Sequence, residues 1–575
     1  MLFLLLLMSS AAAAKTLTVP VFYWSSKIEA QVAMRKGLEE EIQRFNKNAA
    51  NKIDLHPYVA GEGREGILNQ LTQLDEALRS NPDALIIQPT DISIPSKALQ
   101  EANERNIPVF TFDQFILHGR ITSYIASDNY QAGWDNGIYI ADLFPKNQDL
   151  RIVIYEYPIV SAVISRVDGF FDALRSRHRK FVVLKRYIAV DPQSGKEQTD
   201  HFLLDFPKKK SVDVLFTIND GAGLTTVKML WEKGRREIVH ASVDGDPESI
   251  ENIKVKRLTV IDSAQYCAEM GRETARQVIA HFEGTHTLEK KLIPTFPITE
   301  STLKSFNGWM GVPMAPPKEF SDLAASKSPS ATPSSSENHK LLRIGMASHC
   351  PYLCEQGPGQ WGGYVYDILK DIASENKLKL EIINIGNHDL SKSLKNKKVH
   401  YIVIPSYFVR YSPDVYIAPT KLGASYTGAI FTPGVKMRIV DKESLSDKRI
   451  AFAKLGQESD LNLDPEEFKK SVKIEGADVA DRMIKAISEH RIDLALGDYN
   501  VLRYTSLRRQ QLSLEIQPTS LTGFNTLSLV SNPEESAYAN FPNLVKQWFA
   551  TNRENGKLNR ILKKYNLTDW NLFER

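Results

Sequence analysis

The sequence predicts an α/β protein made of two bilobal bodies, each lobe a mostly parallel sheet flanked by helices. Three observations carry this. Residues 15–322 alternate strand-like and helix-like blocks in two successive runs, and residues 340–575 resume the alternation over a shorter stretch. Between them, Leu323–His339 (LAASKSPSATPSSSENH) has no apolar periodicity and is filled largely by Ser, Ala, Pro and Thr. Such a segment cannot bury enough apolar surface to offset its ordering entropy, so it reads as an exposed tether stiffened by its prolines. A chain of 575 residues also exceeds what one core supports.

In the first body, Thr16–Phe22 reads as a buried strand and Glu29–Phe45 as an amphipathic helix. Strand Ile53–Val59, helix Gly66–Arg79, strand Ala84–Gln88, helix Ser96–Arg105, strand Pro108–Asp113 and a short strand Ser123–Ala126 follow. The rhythm then restarts. Strands Arg151–Tyr155, Val182–Ile188, Val214–Ile218 and Glu237–Val243 alternate with helices Arg166–Ser176, Gly221–Lys233 and Pro247–Ile253. Strand, helix, strand at this spacing implies right-handed crossovers and parallel sheets, with a ligand crevice outside the carboxyl ends of the strands.

Polar residues gather at those ends. Asp113 closes IPVFTFD, Asn219 and Asp220 close VLFTIND, Asp244 closes IVHASVDGD, Gln265 follows LTVIDSA, and Arg166 opens a helix. Taken singly each is a ready helix cap or loop residue. Jointly they suit a sugar, whose hydroxyls both donate and accept and are held by planar Asp, Asn, Gln and Arg groups. Phe22, Tyr23 and Trp24 follow the first strand and could plate an apolar sugar face. The run Gly61–Gly66 matches G-x-G-x-x-G, but Glu62 and Glu65 would meet a pyrophosphate with like charge, and no cofactor is expected.

The order of these motifs resembles the ribose-type periplasmic binding proteins, a family that includes the autoinducer-2 receptor. The resemblance covers about residues 17–310 and rests on IPVFTFD, SRVDGF, LFTINDGAGL, the VDGD turn and SAQYCAEMG. It implies that Asp113, Arg166, Asn219, Asp244 and Gln265 hold sugar hydroxyls. Gln114 stands where ribose binders carry Arg, and Gln265 where the autoinducer-2 receptor carries Arg.

The second body reads as strand Leu341–Ala347, helix Tyr364–Asn376, strands Leu378–Ile385, Tyr401–Ile404, Ala418–Phe431 and Arg449–Ala453, and helix Val479–His490. Strands Leu494–Leu496 and Thr526–Val530 and helix Pro542–Asn552 complete it. Arg410 follows YIVIPSYFV and Asp498 ends IDLALGD. They can be read as the carboxylate and ammonium partners of an amino acid, or as an ion-pair residue and a helix cap. PYLCEQGPGQWGGYVYDILKDIA, PSYFVRYSPDVYIAP and RIDLALGDYNVLRY resemble segments of the amino-acid-type solute-binding proteins of ABC uptake systems. That resemblance implies Tyr352, Tyr407, Arg410 and Asp498 at the ligand, with Tyr407 in the place of a usual Thr. The G-T pair usual in the second lobe is missing from SDKRIAFAKLGQESD.

Composition narrows the function. A net charge of +3 is too small to imply nucleic acid, and Lys208-Lys209-Lys210 reads as a solvated loop. Leu2–Met8 is an apolar run leading to Ala12-Ala13-Ala14, an A-x-A cleavage signal, so residues 1–14 read as a signal peptide lacking its charged n-region. The run is shorter than the about 20 apolar residues a membrane span needs. Of three cysteines, Cys350 and Cys354 are close enough to pair in an oxidising compartment or to serve as small buried hydrophobes, and Cys267 is left over. No second ligand pair follows at zinc spacing, so no metal is expected. The 12 histidines are scattered and no triad or carboxylate pair emerges from spacing, which argues against an enzyme. The expectation is an exported, periplasmic tandem binding protein, its partners an ABC permease for uptake or a membrane histidine kinase for sensing.

Overall fold

The computed structural model describes residues 15–158, 160–317, 320, 341–357, 359–385, 393–394, 396–432, 439, 442–446, 448–453, 471–474, 478–508, 514–519, 521, 524–535 and 538–570. The expected signal peptide and the tether Leu323–His339 lie outside the described residues. In the first lobe β1 (Thr16–Tyr23), β2 (Lys52–Val59), β3 (Leu85–Ile87), β4 (Val109–Phe112) and β5 (Ser123–Ser127) alternate with α1 (Glu29–Asn48), α2 (Gly63–Arg79) and α3 (Ser96–Glu104). The second lobe opens with α4 (Asn129–Leu143) and runs β6 (Leu150–Glu156), α5 (Ser161–Ser176), β7 (Phe181–Ile188), α6 (Pro192–Asp205), β8 (Val214–Thr217), α7 (Asp220–Glu232), β9 (Val239–Asp244), α8 (Pro247–Lys254) and β10 (Thr259–Ala264). Then α9 (Cys267–Phe282) and β11 (Lys290–Ile293) return to the first lobe, and β12 (Phe296–Ile298) joins the second.

The sheet orders are β11-β5-β4-β3-β1-β2 and β12-β10-β9-β8-β6-β7, parallel throughout except for the antiparallel edge pair β10–β12. The chain passes between lobes three times, after β5, after β10 and after β11. Three short connections leave the lobes free to hinge while fixing the line about which they do so.

Helices α4, α6 and α9 were not singled out by the alternation of blocks, and α4 shows why. Its sequence NYQAGWDNGIYIADL places Asn, Asp and two Gly inside a helix that is buried on nearly every side. Asn136 donates to the Ser242 carbonyl at 2.6 Å and accepts from Ser263 Oγ at 3.0 Å, so the polar groups are satisfied by tertiary contacts. The glycines let backbones touch: a Cβ at Gly133 would sit 1.8 Å from the Arg166 carbonyl oxygen, and one at Gly169 2.1 Å from that of Tyr130. The first lobe repeats the device, where Gly37 faces Ala268 O and Gly271 faces Met34 O. The helices bearing the candidate site are thereby locked to their lobes.

In the second body β13 (Leu341–Met346), β14 (Cys354–Gly357), β15 (Gln360–Gly362), β16 (Lys379–Asn384), β17 (Tyr401–Pro405), β18 (Tyr416–Phe431), β19 (Ile450–Ala453), β20 (Val472–Ile474), β21 (Leu494–Asp498), β22 (Glu515–Pro518) and β23 (Phe524–Ser531) are described. The 16-residue β18 is the spine. Its first part pairs with β23 in the sheet β16-β13-β17-β23-β18, and its last residues pair with β21 and β22 beside β19 and β20. Two lobes thus meet along β18. Cys350 and Cys354 are joined as a disulfide, and Cys267 is free and buried. Among the described residues no helix is long and apolar enough to cross a membrane.

Candidate functional site

In the first body, strand ends deliver polar side chains from both lobes to one place. Asp113 follows β4 with φ 66° and Asp244 ends β9 with φ 133°, left-handed conformations that cost a non-glycine residue and cluster at functional sites. Arg166, on the first half of α5, is 5% exposed. Its Nε–H donates to Asn129 Oδ1 at 2.8 Å, and Nη1 donates to the Ile218 carbonyl at 2.6 Å and to Asp244 Oδ1 at 3.1 Å. Gln265, after β10, donates through Nε2 to the same Asp244 oxygen at 2.6 Å. Its Oε1 is buried and has no hydrogen-bond partner among the described residues. Gln88 Nε2 donates to Asp113 Oδ2 at 3.2 Å, and Gln88 Oε1 accepts the Trp24 backbone N–H at 3.0 Å. The lobes touch where Ser161 Oγ donates to Gln114 Oε1 at 2.8 Å.

The site is rich in carboxylates. Burial pushes the Asp113 carboxyl above its usual range, opposed by Gln88 and by the positive Arg166. Burial raises Asp244 as well, again against Arg166 and Gln265. Beneath them, burial and the neighbouring carboxylates raise Asp220, while Asp262 is pushed up to about 6, chiefly by burial. The Arg166 guanidinium is the positive group that acts on both Asp113 and Asp244.

The predicted residues separate here. Asp113, Arg166, Asp244 and Gln265 are brought together, the last three by direct hydrogen bonds. Asn219 instead caps α7, accepting from Ala222 N–H, and its Nδ2 donates to the Val190 carbonyl at 2.8 Å. Asp220 accepts from Ser242 Oγ at 2.6 Å and from the Asp246 N–H at 2.8 Å, so both its oxygens are engaged within the protein. The Trp24 side chain is half-buried, while Phe22 is core and stacks on Tyr58. Two participants were missed, Gln88 and Asn129. Gln88 closes LIIQ at a strand end, the same signal that marked Asp113; Asn129 looks like an ordinary first-turn residue.

In the second body the Tyr352 hydroxyl lies 3.0 and 2.9 Å from the two Asp498 oxygens. Ser425 Oγ donates to Asp498 at 2.7 Å and the Val501 N–H at 2.9 Å, so Asp498 caps the helix Tyr499–Arg508. Arg410 is buried, and its Nε–H donates to Oδ1 of Asp168, on α5 of the first body, at 2.6 Å. Its Nη2 reaches Ser406 Oγ at 3.3 Å and Asn525 Oδ1 at 3.4 Å. Tyr407 lies in a 3-10 turn against Phe408.

Other contacts join the bodies. Arg175 donates to the carbonyls of Arg410 and Ser412 at 2.9 and 3.1 Å, and the Tyr411 hydroxyl donates to Glu156 at 2.6 Å. His118, in the loop after β4, hydrogen-bonds Tyr426 and has its ring centroid 4.1 Å from that of Tyr499. Phe115 packs edge-on against Phe524 at 5.5 Å.

With that geometry in place, comparison with known proteins places the first body. Residues 20–286 match the family model of a periplasmic binding protein domain, and the parallel sheets flanked by helices are those of that fold. Over 250 residues the chain is 25% identical to the ribose import binding protein RbsB of Bacillus subtilis, covering 43% of this chain and 77% of that protein. The same figures for RbsB of Escherichia coli are 25%, 43% and 80%. The fructose import binding protein FruE of Bifidobacterium longum is 24% identical over 274 residues, covering 45% of this chain and 78% of that protein. Among solved structures, a solute-binding protein of an ABC transporter from Bacillus halodurans with bound myo-inositol aligns with TM-score 0.45 and 18% identity, over 52% of this chain and 98% of that one. The family-model match lies within the first body.

Proposed function

We propose that the first body captures a small sugar or polyol between its lobes and delivers it, in the periplasm, to an ABC permease. The observation that carries this reading is the buried, unpartnered Gln265 Oε1 beside Asp244 and Arg166. A buried acceptor without a donor costs about 1–3 kcal/mol, and a sugar hydroxyl supplies that donor. The same hydroxyl accepts from a neighbour, which suits a site holding carboxylates, a carboxamide and a guanidinium at once. Relatives named for ribose and fructose import support the ligand class.

We read the second body as an amino-acid-type module, a reading supported by its two lobes meeting at β18. On this reading Arg410 takes a ligand carboxylate only after Asp168 leaves it. A sensing role, with a membrane histidine kinase as partner, is favoured by one observation. The second body contacts both lobes of the first, through His118 and through Asp168, so a change in the angle between those lobes would be felt by a second domain, as a sensor requires.

Calorimetry of the full chain against pentoses, hexoses and polyols tests the sugar reading. Gln265→Met keeps the side-chain volume and removes the unpartnered acceptor together with the donor to Asp244. It is expected to weaken binding roughly tenfold, about 1.4 kcal/mol. Unchanged affinity in this variant, or no heat with any of the three classes, overturns the reading.

A further inference from the structure

The contacts between the bodies fall on the segments that build the first cleft. Asp113 and Gln114 follow β4, which delivers them to the site, and Phe115–His118 continue directly into the second body. On α5, Arg166 faces the first cleft while Asp168, two residues and about 200° further round the helix, holds Arg410. The loop belongs to one lobe and α5 to the other. The second body therefore bridges the hinge of the first.

The reverse also holds. Arg410 and Phe524 belong to the part of the second body built on β17 and β23, whereas Tyr499 begins the helix after β21 in the other part. Tyr426 stands on β18 where its pairing passes from β23 to β21. The first body thus touches both lobes of the second. It does so at the places expected to receive a ligand. Asp168 offers Arg410 a carboxylate in bidding distance, and His118 lies against Tyr499, the residue after Asp498, and Tyr426, the residue after Ser425. Ile116 and Leu117 share one continuous apolar cluster with Tyr352, Tyr426 and Phe524, which makes this a packed junction.

We propose that the first body is an internal ligand of the second: the Asp168–Arg410 pair and the seat of His118 form a latch that couples closure of the first cleft to opening of the second body. Its coupling arm rests on the sugar reading above. When the first body's lobes rotate toward each other, the loop and α5 move relative to one another, because Gly133 and Gly169 bind α5 tightly to α4 in its own lobe. A second body gripping both cannot follow both without straining one contact. A ligand that changes the angle between the lobes must then change the free energy of docking, and docking must change that ligand's affinity by the same factor.

The test uses the full chain. Asp168→Lys places a cation against Arg410, and Asp168→Lys with Arg410→Glu restores an opposite-charge pair. X-ray scattering is expected to show a larger radius of gyration for the single variant and recovery in the double. Hydrogen exchange is expected to quicken at residues 115–118 and 424–428 in the single variant. His118→Ala, which introduces no charge, should move both readouts in the same direction, so misfolding of one variant does not decide the matter. D-ribose affinity is expected to differ about fivefold or more between wild type and Asp168→Lys. Identical scattering and exchange in wild type, Asp168→Lys and His118→Ala would overturn the latch. Undocking with unchanged D-ribose affinity would overturn the coupling. If the wild-type chain binds none of the sugars, the sugar reading and the coupling built on it fall, and scattering still decides the latch.

Discussion

In the first body Arg166 divides its guanidinium among Asn129, the Ile218 carbonyl and Asp244, and Gln265 beside it keeps one buried acceptor unspent. In the second body Asp498 is fully engaged by Tyr352, Ser425 and the start of a helix, and Arg410 gives its Nε–H to the other body. The residue types are alike: an arginine, an aspartate, neighbouring hydroxyls or carboxamides. What differs is whether the fold itself consumes their hydrogen-bonding capacity. A cleft with capacity left over can bind a free ligand directly. One whose capacity is consumed binds only by displacing what consumes it.

The largest test of this contrast removes each arginine. Arg166→Ala leaves Asp244 buried beside Asp113 without a cation, and is expected to cost about 3–5 kcal/mol of stability in the first body together with sugar binding. Arg410→Ala removes an equally buried guanidinium, but its partner Asp168 can hydrate once the bodies part. Its effect should appear as separation of the bodies with the first body's melting nearly unchanged. Calorimetric melting of both variants checks this, and equal losses in the first body's transition would erase the distinction.

Acid provides the next test. Burial lowers His118 and His240 to about 3, the former aided by the positive Arg503, so both are neutral in the folded protein. An unfolded histidine takes up its proton near 6.5. Each histidine's stabilising contribution is therefore complete above pH 6.5 and is lost as pH falls toward 3, by about 2 kcal/mol at pH 5. Releasing His118 from Tyr426 and Tyr499 requires only undocking, whereas releasing His240 requires unfolding the first body. Within the first body Asp262, raised to about 6, acts with the opposite sign: it takes up a proton between pH 6 and about 3.8 more readily when folded. Between pH 7.5 and 5 the bodies should part before the first body melts, which scattering and circular dichroism followed together would show. Melting without prior separation would place the weak point in the first body.

The smallest effect concerns Ser425. Ser425→Ala removes one of the donors that hold Asp498, and should cost about 1 kcal/mol of the second body's stability, read as a lowered melting temperature. No change would mean that Asp498 does not depend on this scaffold and has capacity for a ligand.

Much of the architecture was legible from residue pattern. Buried strands such as Thr16–Tyr23 and Val214–Thr217 are runs of apolar residues bounded by turn chemistry, and the parallel crossovers follow from their spacing. The helix Asn129–Leu143 was not legible, because its buried polar residues are satisfied by strands more than 100 positions away. The candidate site shows the same limit. That Asp113, Asp244 and Gln265 stand at strand ends follows from local pattern. That Asn219 and Asp220 are spent on a helix cap and on Ser242 is a matter of which neighbours the fold supplies.

The alternation of strands and helices, the placement of polar residues at the carboxyl ends of strands, and the residue types available in each body are all written in the chain itself. These are local properties, fixed by side-chain periodicity and backbone preference. Which of those residues retain free hydrogen-bonding capacity depends on how the folded elements come together. Arg410 meets Asp168 across 242 residues of chain, and Gln265 Oε1 meets no hydrogen-bond donor among the described residues. Hydrogen-bond satisfaction is a pairwise property of groups in space, and no periodicity along the chain encodes it.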